Sequence, residues 1–378
     1  MLQATEGRRR ALALASQAQS KVDAVLCMAP ENIYYFTGFR TMLYTRFNAV
    51  LVRMDRPESP VLVVATVDRR LIEDRVWSPP WVSDIAYHGP DSTADVAPTP
   101  AAALAPYMRG VQRLGLDSIS LSDLEEVRRA APEADVVQVF DLIDGVRQIK
   151  SEQEIEHLRQ ANKLAMQGME HARGMLEAGP TTELEIAVQL EAEARLAGAD
   201  GFGYPTLVSS GAKMGAVHSP ALHRPVEPGK PLRVAFGPKY EGYCGDVVRT
   251  FCVGQPPAEL VRLQDGFLEA LGVLLGIVQA GVAVPEMIAK VRAVYEKRGL
   301  MGYWRNSIGH GLGLTIHESP RIAGASRSVL AENMVVALEP ALTVSGFGGY
   351  GQCDIVLITR TGNELLTSGP GGIIAARA

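Results

Sequence analysis

The chain has 378 residues, of which 47% are hydrophobic and 21% are charged, and its formal net charge is -5 at pH 7. This length is enough for two domains, and the composition is ordinary for a globular protein. The negative net charge and the lack of a Lys/Arg-rich stripe argue against nucleic acid as a partner. The four cysteines form no CxxC pair, which indicates a reducing compartment without a disulfide framework.

Two apolar segments raise the question of a membrane. Near the N-terminus, "RRR" precedes "ALALA", which is shorter than the roughly 7–15 apolar residues of a secretory signal. The apolar run 267–284 contains Glu269 and Gln279 and is followed by Pro285, so a buried helix is the better interpretation. We therefore expect a cytoplasmic protein with no membrane partner.

The first part of the chain alternates between helical and strand-like patterns. A helix to about Ser20 comes first. Three β-branched runs, typical of buried strands, follow at 23–28, 49–54 and 60–66. Next come helical stretches in "TPAAALAPYMRGV" and "SDLEEVRRAA" and strands in "LGLDS" and "ADVVQVFDL". This order predicts an α/β domain over residues 1–145.

A second unit is predicted over residues 146–378. Ser151 and Glu154 form a capping box at the start of a long amphipathic helix, and "TTELEIAVQLEAEARLAG" predicts a second helix. Strand-rich sequence at 232–252 comes next. Two more helices are predicted at about 257–280 and 285–299, and short strands with glycine turns fill 303–378. Helices and hairpins do not alternate strictly as in βαβ units, so this unit is predicted to be α+β.

The stretch "LRVAFGPKYEGYCGDVVRT" (232–250) predicts a hairpin with one acid, Asp246, inside its second apolar run. A buried carboxylate normally needs a partner. A turn centred between Tyr240 and Glu241 places Ala235 opposite Asp246, on the same face of the hairpin. The facing run therefore offers a methyl group where a partner would be expected.

Four of the seven histidines fall within one hundred residues of the second unit: His218, His223, His310 and His317. In "NSIGHGLGLTIHESPRIAG" (306–324), glycines around His310 allow the backbone to come close to a site, and an imidazole there is a candidate ligand or base. The alternative is a glycine-rich turn with a core histidine. The other three histidines are interpreted as surface or helix-face residues.

A second lone acid, Glu339, lies in the apolar run "VVALEPAL" (335–342). Such an acid is seldom fully buried unless it is paired or bound to metal, although an exposed strand edge is the alternative. The stretch "GGYGQCDIVLI" (348–358) places Gln352, Cys353 and Asp354 at the start of another apolar run.

These motifs resemble one family. "PENIYYFTGF" (30–39), "IKSEQEIEHLRQA", "YEGYCGDVVRTF", "IGHGLGLTIHESP", "LEP" and "CDIVLITRTGNELLT" are similar, in order and spacing, to the family of prolidase, aminopeptidase P, methionine aminopeptidase and creatinase. The resemblance covers nearly the whole chain. It implies an α+β architecture, with a pita-bread C-terminal domain over 146–378 and a smaller α/β creatinase-like N-terminal domain over 1–145.

The resemblance also implies a defective metal site. Metallopeptidases of this family bind two metal ions through two Asp, one His and two Glu. Asp246, His310 and Glu339 match three of these positions, whereas Ala235 and Cys353 occupy the other two. The usual dinuclear site is therefore not expected. The cofactor is either absent or one divalent ion of unknown identity, held by Asp246, His310 and Glu339. Cys353 is either an additional ligand or a small buried apolar residue.

The metal-free creatinase branch offers a second set of correspondences. Its histidine base resembles His218, and its carboxylate-binding arginines resemble Arg46 and Arg321. Arg46 would come from the neighbouring subunit, which implies a homodimer with a shared active site. The two acids that hold creatine's guanidinium correspond to Val248 and Gln352, so creatine itself is not the expected substrate. We also assign Gln352 and Tyr243 to the substrate-binding residues.

The function expected from these observations is hydrolysis of an amide or amidine-like C–N bond in a small carboxylate-bearing molecule. His218, His310, His317, Asp246 and Glu339 are the expected catalytic residues. The reaction is expected to be metal-independent or to use one ion. Three alternatives remain: a lyase, cyclase or decarboxylase of specialised metabolism, an Xaa-Pro-type metallopeptidase, and a non-catalytic pseudoenzyme.

Overall fold

The computed structural model describes residues 4–18, 21–41, 46–90, 97–344, 346–369 and 371–376. The chain divides into two compact units, Met1–Arg147 and Gln148–Ala378. Each unit has its own sheets and its own buried core.

The N-terminal unit is an α/β domain built on one six-stranded sheet. Its strands are β1 (Ala24–Cys27), β2 (Ala49–Arg53), β3 (Val61–Ala65), β4 (Asp84–His88), β5 (Arg113–Leu116) and β6 (Asp135–Gln138). Its helices are α1 (Ala4–Ala18), α2 (Pro30–Thr37), α3 (Arg69–Glu73), α4 (Pro100–Leu104), α5 (Leu121–Ala130) and α6 (Phe140–Gln148). The sheet order is β4-β3-β2-β1-β5-β6, and β2 pairs antiparallel with both of its neighbours.

The three predicted β-branched runs form the three adjacent strands β1, β2 and β3. Each run is apolar, and its side chains are buried on both faces of the sheet. The sequence analysis did not predict α2. This helix begins at Pro30, which has the φ angle that a first helical turn requires, and ends at Gly38. Gly38 adopts φ 78°, a left-handed conformation that glycine tolerates because it has no Cβ atom.

The C-terminal unit is α+β, with four long helices and several short sheets. Its helices are α7 (Glu152–Ala178), α8 (Glu183–Leu196), α9 (Ala258–Ile277) and α10 (Val284–Lys297). Its strands are β7 (Gly201–Phe202), β8 (Leu207–Ser210), β9 (Pro231–Phe236), β10 (Pro238–Tyr240), β11 (Tyr243–Cys244), β12 (Val247–Val253), β13 (Ser307–Gly311), β14 (Glu318–Ala323), β15 (Val335–Leu338), β16 (Leu342–Val344), β17 (Gly348–Tyr350), β18 (Asp354–Thr359), β19 (Gly362–Leu365) and β20 (Ile374–Ala376).

Two helix pairs cover two sheets in this unit. Helices α7 and α8 share a core with strands of the sheet ordered β20-β12-β9-β8, and α9 and α10 share a core with the sheet ordered β14-β13-β15-β18-β19. The predicted capping box of Ser151 and Glu154 is present at the start of α7, and Thr182 and Glu185 form another at α8. These caps supply partners for backbone N–H groups that the helix cannot satisfy itself.

The hairpin register predicted for 232–250 is wrong by two residues. Ala235 pairs with Val248, not with Asp246, because the turn is centred between Glu241 and Gly242, one residue later than predicted. Asp246 lies just before β12. A shift of two residues preserves the face of the sheet, and Ala235 and Asp246 do line the same pocket.

The candidate active site

A pocket of about 570 Å³ in the C-terminal unit collects most of the predicted site residues. It is lined by Tyr204, Pro205, Leu207, Val217, His218, Pro220, Arg233, Ala235, Asp246, Val248, Arg305, Ser307, His310, Ile316, His317, Glu339, Ala341, Thr343, Gly351 and Gln352. All five predicted catalytic residues and Gln352 are therefore brought together. The size is that of a small-molecule site.

Asp246 is 5% exposed and has a partner that the sequence analysis missed. The Tyr204 hydroxyl donates to its Oδ1 at 2.9 Å, and its backbone N–H donates to Oδ1 of Asn162 at 3.1 Å. Burial raises the pKa of Asp246 to about 6, although hydrogen bonds with Tyr204 and Cys353 act in the opposite direction. Asp246 is thus an incompletely compensated carboxylate facing a cavity.

His310 lies on β13, which pairs with β14 on one side and with β15 on the other. A Cβ atom at Gly309 would lie 2.1 Å from the Ala337 carbonyl oxygen, and one at Gly311 would lie 2.2 Å from that of Ser319. Glycine is therefore required on both sides of His310 for the strands to approach. This explains the glycine pattern from which the site was predicted.

The imidazole of His310 is oriented by its own strand. Its Nδ1 lies 3.0 Å from the Gly311 carbonyl oxygen, and because a carbonyl only accepts, Nδ1 carries the proton. Nε2 then faces two carboxylates, Oδ2 of Asp246 at 3.7 Å and Oε1 of Glu339 at 3.6 Å. Burial lowers the pKa of His310 to about 4, so the ring is neutral at pH 7.

His317 stands beside His310, with ring centroids 4.3 Å apart and planes at 85°. Burial and the neighbouring His310 lower the pKa of His317 to about 4. The turn before His317 is held by Glu318, which accepts from the backbone N–H of Thr315 at 3.1 Å and pairs with Lys150 at 3.2 Å. This ion pair is buried, with side-chain exposures of 1% and 2%.

Glu339 follows β15, and its backbone N–H donates to the Ile308 carbonyl at 2.9 Å. Its side chain remains 35% exposed. Nevertheless, its desolvated surroundings and the negative charge of Asp246 raise the pKa of Glu339 above the usual range. The lone acid predicted to need a partner therefore reaches the pocket, where it faces His310.

Three predicted site residues of the C-terminal unit do not line this pocket. Arg321 is exposed on β14. Tyr243 is buried and donates its hydroxyl to Oε1 of Glu154 at 3.0 Å, while its ring stacks on His157, so it connects the hairpin to α7. Cys353 is 0% exposed, and burial raises the pKa of its thiol well above the usual range. Arg46 is exposed in the N-terminal unit.

Gln352 lines the pocket, but its amide is already engaged. Its Nε2 donates to Oδ2 of Asp354 at 2.6 Å, and its Oε1 accepts from the Tyr350 hydroxyl at 2.7 Å and from the Gly372 backbone at 3.2 Å. The side chain therefore contributes a fixed polar wall.

Two arginines that the sequence analysis missed, Arg233 and Arg305, do line the pocket. Arg233 is the one charged residue of the buried strand β9, whose other residues are apolar or proline. A charge inside an apolar run was the signal that led to Asp246 and Glu339, and the same signal was present in "PLRVAFG". Arg305 lies in a loop and has no such signal.

The donor set does not fit a two-metal centre. Of the five ligand positions implied by the resemblance, Ala235 presents a methyl group to the pocket and Cys353 is a buried thiol with a raised pKa. One ion would have Asp246, His310 and Glu339 as its donors. Among the residues that the structure describes, no group of three or more His, Cys, Asp or Glu side chains has the arrangement of a metal site.

The two helix pairs over two sheets, with a pocket of histidines and carboxylates, define a pita-bread enzyme. The model of metallopeptidase family M24 matches residues 156–360, and that of the creatinase/prolidase N-terminal domain matches residues 9–149. The chain belongs to the metallopeptidase family M24, as predicted. This assignment makes it a hydrolase of carbon–nitrogen bonds.

Similar proteins agree with this assignment. An uncharacterized peptidase, YqhT, of Bacillus subtilis is 31% identical over 70% of this chain and 75% of its own length. An Xaa-Pro dipeptidase of Pyrococcus horikoshii is 30% identical over 69% of this chain and 74% of its own length. The structure of an Xaa-Pro dipeptidase from Bacillus anthracis superimposes with a TM-score of 0.85 at 26% identity, covering 99% of this chain and 100% of that one.

In the described ranges, which start at residue 4 and end at 376, no helix is both long and apolar enough to cross a membrane. The run 267–284 accordingly forms most of the second half of α9 and the turn after it, within a core rather than as a span.

Proposed function

We propose that the chain hydrolyses the amide bond of a small, peptide-like molecule with a free carboxylate, without the two-metal centre of a metallopeptidase. The relatives named as Xaa-Pro dipeptidases support a peptide bond over the amidine-like bond also considered from the sequence. The observation that carries the proposal is the convergence of Asp246, His310, His317 and Glu339 on a pocket in which Ala235 occupies one of the two unmatched ligand positions.

The protein's own groups supply acid–base chemistry. Nε2 of neutral His310 faces the carboxylates of Asp246 and Glu339, and these three groups can orient a water molecule for attack on a carbonyl carbon. His218 is exposed at the pocket and has no hydrogen bond to another described residue, so its ring is available to protonate the leaving nitrogen. An imidazole side chain can donate or accept a proton near neutral pH.

A single-ion variant is the second candidate, because the carboxyl groups of Asp246 and Glu339 lie near Nε2 of His310 and make with it three donors of suitable chemistry. Asp246, His310 and Glu339 would hold the ion. When bound, a divalent ion would polarise the substrate carbonyl and make a water molecule more acidic.

The test is an assay of Xaa-Pro dipeptides and N-acyl amino acids on protein freed of metal by a chelator, with metal content measured before and after. We expect amide hydrolysis that survives chelation, and one oxygen atom from labelled water in the acid product. Activity only with two bound ions would establish a dinuclear peptidase instead. Turnover without label would favour a lyase or cyclase, and no turnover of any substrate would favour a non-catalytic module.

The assembly remains a proposal as well. A homodimer in which Arg46 of one subunit completes the neighbour's site, in the cytoplasm, is what the resemblance implies. Sedimentation equilibrium, together with mixing of Arg46→Gln and His310→Ala proteins, tests it, since mixed dimers would regain activity only if the site is shared.

A further inference from the structure

The pocket carries two positive charges that the proposed chemistry does not use. Arg233 lies on β9 and Arg305 lies in the loop before β13, and both line the pocket. Burial, and after it the positive charge of Arg305, lower the pKa of Arg233. Neither forms an ion pair with an acidic residue in the described part of the chain.

Arg233 is 5% exposed, and it donates one hydrogen bond to Oγ of Ser209 on β8 at 3.3 Å and its others to a single loop. It donates to the carbonyl oxygens of Met214 at 3.3 Å, Ala216 at 3.2 Å and Val217 at 2.6 Å. These residues immediately precede His218. Arg233 therefore orders the histidine loop, and its charge remains at the pocket wall without a carboxylate partner, an arrangement that costs free energy unless something compensates it.

Arg305 is exposed and is oriented by a single contact. Its Nε donates to Oγ1 of Thr343 at 2.9 Å, and Thr343 also lines the pocket. Its two terminal nitrogens make no hydrogen bond to another described residue. A guanidinium held at Nε with both Nη groups available has the geometry for bidentate binding of a planar anion.

Much of the rest of the pocket wall is apolar. Leu207, Val217 and Ala341 line the same pocket, together with Pro205 and Ile316. A ligand that fits both features has an apolar body and one anionic end.

We infer that Arg305, oriented by Thr343 and supported by the charge of Arg233, binds the carboxylate of a small apolar ligand in this pocket. The inference rests on the proposed function, whose substrate it defines further as an apolar acyl or amino-acid unit with a free carboxylate. It assigns to Arg305 and Arg233 the role expected from the sequence for Arg46 and Arg321.

The test is calorimetric binding of 4-methylpentanoate and of its uncharged amide, 4-methylpentanamide, to the full-length protein. The wild-type protein should bind the acid more tightly than the amide. Arg305→Gln should weaken binding of the acid by roughly 10- to 100-fold, the loss expected for hydrogen bonds to a charged group, and leave binding of the amide unchanged. Arg305→Lys should retain part of the preference. Arg360→Gln, at an exposed turn, is the matched control.

The inference would be overturned if the acid binds no more tightly than the amide, or if neither ligand binds measurably. It would also be overturned if Arg305→Gln binds the acid with the affinity of the wild-type protein. Arg305 is exposed, so its variants should fold, which a thermal melt checks. Because binding requires no turnover, loss of the acid preference would leave the hydrolase proposal standing. Binding of the acid without hydrolysis of any amide would instead contradict the hydrolase proposal alone.

Discussion

Asp354 and Asp246 are both buried aspartates, and they lie on either side of the bridge between Val248 and Cys353. Asp354 accepts hydrogen bonds from Arg249 at 2.6 Å, Gln352 at 2.6 Å and Thr367 at 2.8 Å. The carboxylate of Asp246 accepts from the Tyr204 hydroxyl and has a hydrogen bond with Cys353, and no Lys or Arg of the described residues pairs with it. A fully compensated carboxylate supports the fold, whereas an incompletely compensated one at a cavity is available for chemistry.

The largest expected effect comes from breaking the compensated site. Arg249→Met would leave Asp354 buried without its cation, and the free energy of unfolding should fall by about 3–5 kcal/mol. Urea denaturation measures this loss. The double change Arg249→Met with Asp354→Leu should cost clearly less, since no charge is then left unpaired. A loss below about 1 kcal/mol in the single variant would contradict a structural role for this pair.

Substitution of Asp246 should instead lower the activity and leave the stability nearly unchanged. Asp246→Asn keeps the shape of the side chain, and burial already raises the pKa of Asp246 to about 6, so ionised Asp246 does not stabilise the fold at pH 7. The kcat/KM should fall roughly 10²- to 10⁴-fold, with little change in the melting temperature. His310→Ala should behave similarly in activity. Normal activity in either variant would show that the substituted residue is not catalytic.

A second carboxylate can be introduced into the pocket at position 235. Ala235 lines the pocket on the strand that pairs with β12, so Ala235→Asp would place a second acid on the face that carries Asp246. Metal content per chain, measured by mass spectrometry after dialysis against Mn²⁺, should rise relative to the wild-type protein. Ala235→Asn, of equal size but without charge, is the control and should not raise it. Equal metal content in all three proteins would show that carboxylate number does not limit binding.

The smallest effect is expected at Cys353. Because burial raises the pKa of this thiol, it is not a thiolate at neutral pH and would be a poor ligand. Cys353→Ala should cost about 1 kcal/mol of stability through lost packing and change kcat/KM by less than about threefold. Loss of bound metal together with activity in this variant would instead establish Cys353 as a ligand.

Much of the fold and of the site could be predicted from the sequence. The capping box at Ser151 and the apolar runs of β1, β2 and β3 are local signals, and they appear where predicted. Asp246 and Glu339 were recognised as charges inside apolar runs, and His310 by its glycines. These signals are readable because they involve neighbours in the chain.

The rest depended on contacts between distant segments. Tyr204 is a tyrosine in a loop, and only its distance to Asp246, 2.9 Å, identifies its role. The hairpin register was missed because the turn is centred on Glu241 and Gly242, which both adopt positive φ, one residue later than predicted.

Sequence alone determined the family, the pair of domain types and the absence of carboxylates at positions 235 and 353, because these are properties of residue identity and order. Only the tertiary structure decided which arginines face the pocket. Arg321 and Arg305 are both exposed, and the direction in which each side chain projects depends on the strands and loops packed around it. The charges that meet in the cavity are therefore set by folding, through contacts between segments that are far apart in the chain.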